Sequence, residues 1–521
     1  MTTKTSSRNS APAPVLQVRR PADGTLLAEL PVATTEQVHA QAAALRAAQP
    51  AWEELGVAGR TRHLQNLRDW LLDNQERMLE LMQAEAGKPR SDAATELGWM
   101  GDIVNTMAAG SPKWLADTNV RPHLPLLATR RFTVVRRPYP LVGVIGPWNF
   151  PTVLCVGDGI PALFAGAAVL LKPSEVTPLA TREVVRAWRE DIGAPPVLDI
   201  VIGAGETGAA LVDAVDLVHF TGSVRTGQLV AERAAKTVTP VSLELGGKDP
   251  FVVLRDSNVS RAANCAVFAA LANNGQVCVS AERVYVEAPI YDEFVERVVA
   301  NVKALRSGTD GPHVGVELGA MTAAPQLDIV EDHVREAISK GARALTGGNR
   351  VDRSGNWFEP TVLVDVDHTM KVMVEETFGP VLPIMKVADA EEAIRLANDS
   401  EFGLSATVFS GDVGRGERVA RRIEAGSVNV NDYSATTTCL DVPMGGWKKS
   451  GIGSRSGATA VTKFTRTQSI AVPRVPTTDS EMWWFPYSSR KQGFVEWGLR
   501  FFNARGLRRI GLGRDMTVDG K

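Results

Sequence analysis

Short runs of β-branched and aliphatic residues alternate with helical stretches along much of this chain of 521 residues. Before the first of these runs, the segment from Thr35 to Leu115 repeats apolar residues at spacings of three and four, as surface helices do. The runs are Leu141–Ile145, Ala168–Leu171, Val197–Ile202, Val215–Phe220, Thr239–Leu243 and Phe251–Val253. This alternation predicts βαβ units in an α/β fold with a mainly parallel, doubly wound sheet, which binds ligands at the carboxyl ends of its strands.

A second series of alternating strands and helices begins near Pro250 and continues to about Lys448. Its predicted strands lie around Val284–Val286, Val362–Val364 and Val428–Val430. Two further segments, Arg130–Arg136 and Thr465–Val472, alternate along the chain and are expected to pair as a hairpin or at a sheet edge. The pattern therefore predicts several structural parts rather than one continuous sheet.

The charges of the chain nearly cancel, since 57 Lys and Arg stand against 59 Asp and Glu, for a formal net charge of -2. Such a chain has no overall field that would attract nucleic acid or an anionic membrane. The longest apolar stretch, Ile160 to Leu171, is shorter than the roughly 20 residues that span a bilayer.

The four cysteines, Cys155, Cys265, Cys278 and Cys439, form no CxxC pair. This argues against a zinc site and a disulfide framework, and it favours a reducing cytoplasm.

Cys278 follows a Gly-Gln turn in the segment Leu271-Ala-Asn-Asn-Gly-Gln-Val-Cys278. A thiolate is a strong nucleophile at neutral pH, so this residue is a candidate for covalent catalysis. The alternative is a small, buried apolar residue without chemical function.

Glu244 lies at a predicted strand end in Leu243-Glu-Leu-Gly-Gly-Lys-Asp-Pro250. The flanking leucines should desolvate its carboxylate and raise its pKa towards the value that a general base needs. The alternative is an ion pair with Lys248 or another cation.

Asn149 lies in the loop Gly146-Pro-Trp-Asn-Phe-Pro151, directly after an apolar strand. Two prolines and a glycine fix this loop, so the Asn149 amide could act as a rigid donor to a developing oxyanion. The alternative is an ordinary turn asparagine.

Two motifs that follow predicted strands contain residue types that bind nucleotides. Lys172-Pro-Ser-Glu175 offers a lysine and a carboxylate to ribose hydroxyls, and Phe220-Thr-Gly-Ser223 opens a helix whose N–H groups could bind phosphate. Either could instead be a helix cap or a solvated turn. A third motif, Gly203-Ala-Gly-Glu-Thr-Gly208, matches GxGxxG but lacks the acidic residue expected about 20 positions later, so it carries little weight.

In this order and at these intervals, the motifs resemble those of the aldehyde dehydrogenase superfamily over about residues 15–474. Glu375-Glu-Thr-Phe-Gly-Pro380 resembles the family's ribose-contacting segment, and Pro443-Met-Gly-Gly-Trp-Lys-Lys-Ser-Gly451 resembles its late glycine-rich motif. The resemblance implies an aldehyde dehydrogenase-like fold with four parts. These are a Rossmann-type cofactor domain (15–119 and 139–248), an α/β catalytic domain (249–448), a small β arm for oligomerisation (120–138 and 460–474) and a C-terminal extension (475–521).

Carried over position by position, the resemblance implies an NAD(P)-dependent enzyme with three catalytic residues. Cys278 would be the nucleophile, Glu244 the base that activates water, and Asn149 with the Cys278 backbone N–H the oxyanion hole. An aldehyde would become a carboxylic acid through a thiohemiacetal and a thioester on Cys278. Cofactor contacts are implied at Ile145, Gly146, Pro147, Trp148, Lys172, Ser174, Glu175, Gly205, Phe220, Thr221, Gly222, Ser223, Leu245, Gly246, Glu376 and Phe378, and no metal ligand is implied.

The helix Val156-Gly-Asp-Gly-Ile-Pro-Ala-Leu163 is similar to that of one group of succinate-semialdehyde dehydrogenases. Succinate semialdehyde and a medium-chain or aromatic aldehyde are therefore the alternative substrates. Gly157 stands where many relatives place a bulky aromatic residue, which suggests a wider substrate funnel. Glu175 would repel the 2'-phosphate of NADP and so favours NAD, with NADP as the alternative. The resemblance further implies a homodimer or homotetramer in the cytoplasm.

The extension over 475–521 is absent from the general family pattern. Its first part, Glu481-Met-Trp-Trp-Phe-Pro-Tyr487, is aromatic, and Gln492 to Arg514 is predicted to form an amphipathic helix. The aromatic side of that helix contains Phe494, Trp497, Phe501 and Phe502. Three roles remain open: packing across another subunit, closing the substrate funnel as a lid, and contact with a membrane surface.

Overall fold

The computed structural model of the chain describes residues 14–124 and 127–510. Its strands are β1 (Val15–Arg19), β2 (Leu26–Pro31), β3 (Thr118–Val120), β4 (Arg130–Pro138), β5 (Leu141–Ile145), β6 (Ala168–Lys172), β7 (Leu198–Ile200), β8 (Leu217–Thr221), β9 (Val241–Glu244), β10 (Asp249–Val253), β11 (Ala281–Glu287), β12 (Arg343–Thr346), β13 (Thr361–Val364), β14 (Val381–Val387), β15 (Phe402–Gly403), β16 (Ser405–Phe409), β17 (Ser427–Val430), β18 (Trp447–Lys448), β19 (Gly451–Ile452) and β20 (Thr465–Pro473). Its α-helices are α1 (Thr35–Glu54), α2 (Gly56–Asp73), α3 (Gln75–Ala86), α4 (Arg90–Trp114), α5 (Asp158–Ala165), α6 (Leu179–Glu190), α7 (Gly205–Ala214), α8 (Val224–Ala235), α9 (Val259–Leu271), α10 (Tyr291–Lys303), α11 (Ala324–Ser339), α12 (Lys371–Val374), α13 (Ala390–Asn398), α14 (Val413–Ala420), α15 (Ala435–Thr438), α16 (Gly457–Thr462) and α17 (Ser489–Asn503).

The first large sheet has six strands in the order β19-β9-β8-β5-β6-β7. Strands β5 to β9 pair in parallel, and β19 runs antiparallel to β9 at one edge. Strands β5, β6 and β8 are buried along their whole length, because helices cover both faces of a parallel sheet and favour continuous apolar runs. The predicted α/β fold with a mainly parallel, doubly wound sheet is confirmed.

The second large sheet has seven strands in the order β12-β13-β14-β11-β10-β16-β17. All of its pairs are parallel except β12 with β13. Strand β9 ends at Glu244 and β10 begins at Asp249, so residues 245–248 lead from the carboxyl edge of the first sheet to the start of the second. A site between these two edges can therefore draw residues from both sheets.

Among the described residues, 116–124, 127–137 and 467–510 belong to a second compact unit. In this unit β20, β4 and β3 form a three-stranded sheet, so the two alternating segments of the sequence analysis lie side by side. Helix α17 follows, and a short 3-10 helix spans Gly506–Ile510. The predicted amphipathic helix is thus shorter within the described chain, and its last residues lie outside the described range. The boundaries that we drew between a cofactor and a catalytic domain remain a prediction.

No helix among residues 14–124 and 127–510 has both the length and the apolar composition needed to cross a bilayer. Within the same described residues, no group of three His, Cys, Asp or Glu side chains is arranged to hold a metal ion.

Candidate active site

Four adjacent parallel strands of the first sheet end at the motifs that the sequence singled out. Ile145 at the end of β5 lies opposite Lys172 at the end of β6 and opposite Phe220 in β8. Thr221 at the end of β8 lies opposite Glu244 at the end of β9. Motifs up to 100 positions apart therefore share one edge, because the carboxyl ends of parallel strands meet there.

The loop before Cys278 is held in an unusual backbone conformation. Asn273, Asn274 and Gly275 follow one another with φ angles of 50°, 58° and 71°. Asparagine and glycine are the residues that adopt this left-handed region most readily, which explains the Asn-Asn-Gly sequence. A Cβ atom at Gly275 would also lie 2.1 Å from the Gly379 carbonyl oxygen. The turn leaves the Cys278 thiol half-buried, and burial raises the pKa of this thiol to about 12.

Glu244 is buried next to the nucleophile candidate. Burial raises the pKa of its carboxyl group to about 7, although Arg455 and Lys463 act in the opposite direction. Its Oε1 atom has no hydrogen-bond partner among the described residues, and its charge interacts with Cys278. The alternative pairing with Lys248 is not formed, because Lys248 Nζ lies 2.6 Å from Glu282. A carboxylate with a pKa near neutrality and a free oxygen suits a general base.

Asn149 is tied to the same loop. Its side-chain Nδ2 atom donates to the Gln276 backbone carbonyl at 2.8 Å, and the Asn149 backbone carbonyl accepts from Asn273 Nδ2 at 3.1 Å. Lys88 Nζ donates to the Asn149 carbonyl at 2.7 Å from within a buried ion pair with Glu96. The two contacts to the backbone carbonyl hold the loop in place. The Gln276 contact orients the side-chain amide and uses one of its two N–H bonds, so the other can reach a ligand.

One cavity runs from Cys278 along the strand edge. Its wall contains nine of the predicted cofactor residues together with Asn149: Pro147, Trp148, Thr221, Gly222, Ser223, Leu245, Gly246, Glu376 and Phe378. The rings of Trp148 and Phe378 meet edge to face, with centroids 5.3 Å apart. Glu376 accepts from the Gly247 backbone N–H at 3.0 Å, and a Cβ at Gly246 would lie 2.3 Å from the Glu376 carboxylate. The two glycines that follow Glu244, Gly246 and Gly247, thus let the Glu376 carboxylate approach their backbone.

The remaining predicted cofactor residues do not contribute to the wall of this cavity: Ile145, Gly146, Lys172, Ser174, Glu175, Gly205 and Phe220. They lie at the ends of β5, β6 and β8 and at the start of α7. Lys172 Nζ lies 3.6 Å from the half-exposed Glu175 carboxylate and donates to the Pro173 carbonyl at 3.0 Å. The site also has the helix start that phosphate requires, since Ser223 caps α8 by accepting from the Thr226 N–H at 3.3 Å. Carboxylates, a lysine and a helix start along one edge fit a dinucleotide.

A second cavity lies on the other side of Cys278 and is mainly apolar. Its wall includes Trp99, Ile103, Met107, Phe150, Val153, Leu154, Pro161, Val277, Val279, Leu440, Met444 and Ala460. The charged residues of the wall are Asp158, Arg455 and Lys463, none of which the sequence analysis assigned a role. Arg455 is the cation nearest to Glu244, with its Nε atom 4.0 Å from Glu244 Oε2. Cys278 and Leu154 belong to the walls of both cavities.

Gly157 lies in the wall of the apolar cavity, at the end of a buried π-helix that spans Val153–Gly157. A Cβ at Gly157 would lie 3.0 Å from Val153, 3.1 Å from Ile103 and 3.2 Å from Met100. Side chains of α4 therefore occupy the space beside this glycine. The suggestion that Gly157 widens the funnel is not supported, because the missing side chain makes room for α4.

The match to the "Aldehyde dehydrogenase family" model covers residues 8–470 of the chain. The chain belongs to the aldehyde dehydrogenase family. The 4,4'-diapolycopene aldehyde oxidase of Methylomonas sp is 40% identical to it over 481 residues, which cover 90% of this chain and 88% of that protein. A Mycobacterium ulcerans protein with the provisional name succinate-semialdehyde dehydrogenase, NADP(+), 2 is 41% identical over 466 residues, covering 88% and 89%. The structure of PutA from Anabaena variabilis, provisionally named an aldehyde dehydrogenase, has a TM-score of 0.86 at 37% identity, covering 91% and 100%.

As an aldehyde dehydrogenase family member, the chain is an NAD(P)-dependent oxidoreductase. The oxidation of an aldehyde to the acid with NAD(P) is general for this family. The likeness to aldehyde dehydrogenase structures also agrees with the two large parallel sheets described above.

Proposed function

We propose that the enzyme oxidises an apolar aldehyde to the carboxylic acid, with Cys278 as nucleophile and Glu244 as the base for hydrolysis. The observation that carries this proposal is the position of Cys278 in the walls of both cavities. A residue in that position can reach an aldehyde on one side and a dinucleotide on the other. A cysteine with only a packing role would not be expected to contribute to the walls of both cavities.

The chemistry follows from the groups around the sulfur. Cys278 Sγ bonds to the aldehyde carbon, and the oxygen that becomes negative accepts hydrogen bonds from the Asn149 amide and the Cys278 backbone N–H. A dinucleotide held by Trp148, Ser223 and Glu376 would supply the hydride acceptor, and loss of hydride from that carbon would leave a thioester on Cys278. Glu244 then takes a proton from water, the water oxygen attacks the thioester carbon, and the acid leaves as the carbon–sulfur bond breaks.

The wall of the second cavity favours an apolar substrate over succinate semialdehyde. The carboxylate of succinate semialdehyde would need a cation in the wall that no other group already pairs. The wall has two cations. Arg455 lies 3.3 Å from Asp158 and 4.0 Å from Glu244, so two carboxylates already face it. Lys463 Nζ donates to the Ser454 carbonyl at 3.1 Å and lies 3.3 Å from His219 Nδ1. The name of the Methylomonas relative, 4,4'-diapolycopene aldehyde oxidase, also gives an aldehyde other than succinate semialdehyde.

The rival substrate and cofactor rest on the mycobacterial relatives, whose names give succinate semialdehyde and NADP(+). We propose NAD instead, because the Glu175 carboxylate beside Lys172 would repel a 2'-phosphate. Assembly into a homodimer or homotetramer, which is common among family members, is part of the same proposal.

An aldehyde panel with both cofactors tests substrate and cofactor together. Absorbance of the reduced cofactor would be followed with hexanal, decanal, benzaldehyde and succinate semialdehyde, each with NAD and NADP. We expect kcat/KM for decanal with NAD to exceed that for succinate semialdehyde by about tenfold or more, because each buried methylene contributes ~0.8 kcal/mol. A higher kcat/KM for succinate semialdehyde, or for NADP, would refute the corresponding part of the proposal.

A further inference from the structure

A buried group of charges lies between the two cavities, with Arg455 at its centre. Arg455 Nη2 donates to Thr221 Oγ1 at 2.9 Å and lies 3.3 Å from Asp158 Oδ2. Its Nε atom lies 4.0 Å from Glu244 Oε2 and has no hydrogen-bond partner among the described residues. One guanidinium thus bridges a carboxylate that the mechanism uses and one that it does not use.

The backbone holds Arg455 in this place. Strand β19 pairs antiparallel with β9, which sets Gly451 opposite Glu244. Two backbone hydrogen bonds of 2.7 and 2.8 Å between Arg455 and Met444 then fix the residue itself. A Cβ at Gly451 would lie 2.3 Å from the Leu243 carbonyl, so glycine is needed for this approach. The pairing of β19 with β9 therefore positions the Arg455 guanidinium near Glu244.

Other charged groups also face this cluster. Lys463 Nζ lies 3.3 Å from His219 Nδ1 and donates to the Ser454 carbonyl at 3.1 Å. His219 Nε2 lies 3.1 Å from Asp158, but burial lowers the pKa of His219 to about 4, so the ring is neutral at pH 7. Arg455 and Lys463 lower the pKa of Glu244, whereas Asp158 raises it. Arg455 and Asp158 therefore act on Glu244 in opposite directions.

We propose that Arg455 is a positioning residue for thioester hydrolysis: Asp158 and Thr221 anchor its guanidinium, which keeps the Glu244 carboxylate ionised and in place near Cys278. This inference rests on the proposed function, in which Glu244 is the base. In that step the water proton passes to Glu244, and the water oxygen bonds to the thioester carbon. The carbon–sulfur bond breaks, and its electron pair returns to the Cys278 sulfur.

The test uses hydrolysis of p-nitrophenyl acetate by the full chain, which acylates Cys278 without a cofactor. The slow phase after the acylation burst would be measured against pH. The acid limb is the pH range in which the rate of this slow phase falls as Glu244 becomes protonated. We expect Arg455→Met to shift the acid limb to higher pH by about one unit or more, because the positive charge near the Glu244 carboxylate is lost. Asp158→Asn should shift it downward, and Arg455→Lys should restore most of the wild-type profile. A purely structural role would not give shifts of opposite sign.

Two reference variants separate this inference from the proposed function. If Cys278→Ala still shows the burst, the proposed function fails. The proposed function is supported if Cys278→Ala abolishes the burst and Glu244→Gln slows the phase that follows it. If, in that case, the acid limb of Arg455→Met and of Asp158→Asn stays at the wild-type pH, only the role of Arg455 is refuted. Thermal unfolding would check each fold, and if Arg455→Met does not fold, an unshifted limb in Asp158→Asn alone is sufficient to reject the role.

A second, independent observation concerns the tail helices, which we define as α17 together with the 3-10 helix Gly506–Ile510. Several of their apolar side chains are exposed. Trp497, Leu499, Leu507 and Ile510 each expose more than half of their surface. Trp484, Phe485 and Tyr487, just before α17, are exposed to a similar degree. An exposed set of this size marks an interaction surface.

The same segment carries a strong positive charge. Between residues 489 and 510 there are six cations, Arg490, Lys491, Arg500, Arg505, Arg508 and Arg509, and Glu496 is the one carboxylate. The chain as a whole has a formal net charge of -2, so positive charge is concentrated in the tail helices. Packing this surface on a second copy of itself would bring like charges together. An anionic surface would instead attract the positive charge of the tail helices.

We infer that the tail helices bind the surface of a bilayer that contains anionic phospholipid. Tryptophan, tyrosine and phenylalanine rings suit the boundary between acyl chains and headgroups, and arginine side chains can reach lipid phosphates from there. Aromatic burial and charge attraction together give a reversible, salt-sensitive attachment. A second copy of the chain and a lid over the substrate are the competing occupants.

Flotation of the full chain with vesicles tests this surface. We expect binding to phosphatidylcholine vesicles that contain phosphatidylglycerol, weaker binding to phosphatidylcholine alone, and release by salt. Trp497→Glu with Leu499→Glu should abolish flotation, whereas Val413→Glu, an exposed apolar residue on α14, should leave it unchanged. Failure of the wild type to float, or equal flotation of the tail variant, would overturn the inference. A changed mass by light scattering would identify a second copy as the occupant, and a changed aldehyde profile would identify a lid.

Discussion

Cys278→Ala is expected to lower aldehyde-dependent reduction of NAD by about a thousandfold or more, because no other cysteine of the described chain contributes to the wall of either cavity. Burial raises the pKa of this thiol to about 12, so its proton must pass to solvent water as the sulfur–carbon bond forms. The Arg455 charge lowers the pKa of this thiol and so assists that loss. Steady-state rates with decanal and NAD measure the effect directly.

Cys265→Ala is the matched control for this prediction. Cys265 lies on α9, is also partly buried, and burial raises the pKa of its thiol to about 12 as well. It contributes to neither cavity wall. We expect Cys265→Ala to keep the wild-type rate and fold. Comparable activity in the two alanine variants would show that Cys278 is not the nucleophile.

The parallel sheet and the shared strand edge could be predicted from the sequence because both depend on local patterns. The continuous apolar run of β5 predicted a buried strand, and the parallel sheet predicted a ligand site at the carboxyl ends of its strands, where β5, β6, β8 and β9 end. The Asn-Asn-Gly turn before Cys278 also has a local cause, since these residue types favour positive φ. Local physical rules thus account for most of the wall around Cys278.

The charges around Glu244 could not be predicted in the same way. Arg455 reaches Glu244 through β19, a strand of two residues that has no detectable periodicity. Asp158 follows a buried π-helix in a segment that the sequence predicted only as a helix. The packing of Ile103 and Met100 beside Gly157 likewise depends on a contact between distant helices. Such long-range pairings are fixed by tertiary packing, which a single sequence does not reveal.

Glu244→Gln is expected to stop the reaction after the first turnover. Glutamine keeps the shape of the side chain but cannot accept a proton, so attack by Cys278 and loss of hydride proceed while hydrolysis of the thioester slows by about 100- to 10,000-fold. Rapid mixing with decanal and NAD should then show a burst of about one reduced cofactor per site, followed by a slow steady state. In the wild type the pKa of Glu244 is about 7, so hydrolysis should fall as the pH drops below 7 and the carboxylate becomes protonated. This acid limb should be absent from the slow phase of the variant.

Mass spectrometry of the Glu244→Gln enzyme after the burst identifies where the reaction stops. We expect the acyl group on the peptide that contains Cys278, and no acyl group in the double variant Cys278→Ala with Glu244→Gln. The buried Oε1 atom of Glu244 has no hydrogen-bond partner among the described residues, so a water molecule that binds it would break no existing hydrogen bond. If the first turnover slowed as much as the steady state and no acyl-enzyme accumulated, Glu244 would act before the thioester forms, and the hydrolytic role would have to be abandoned.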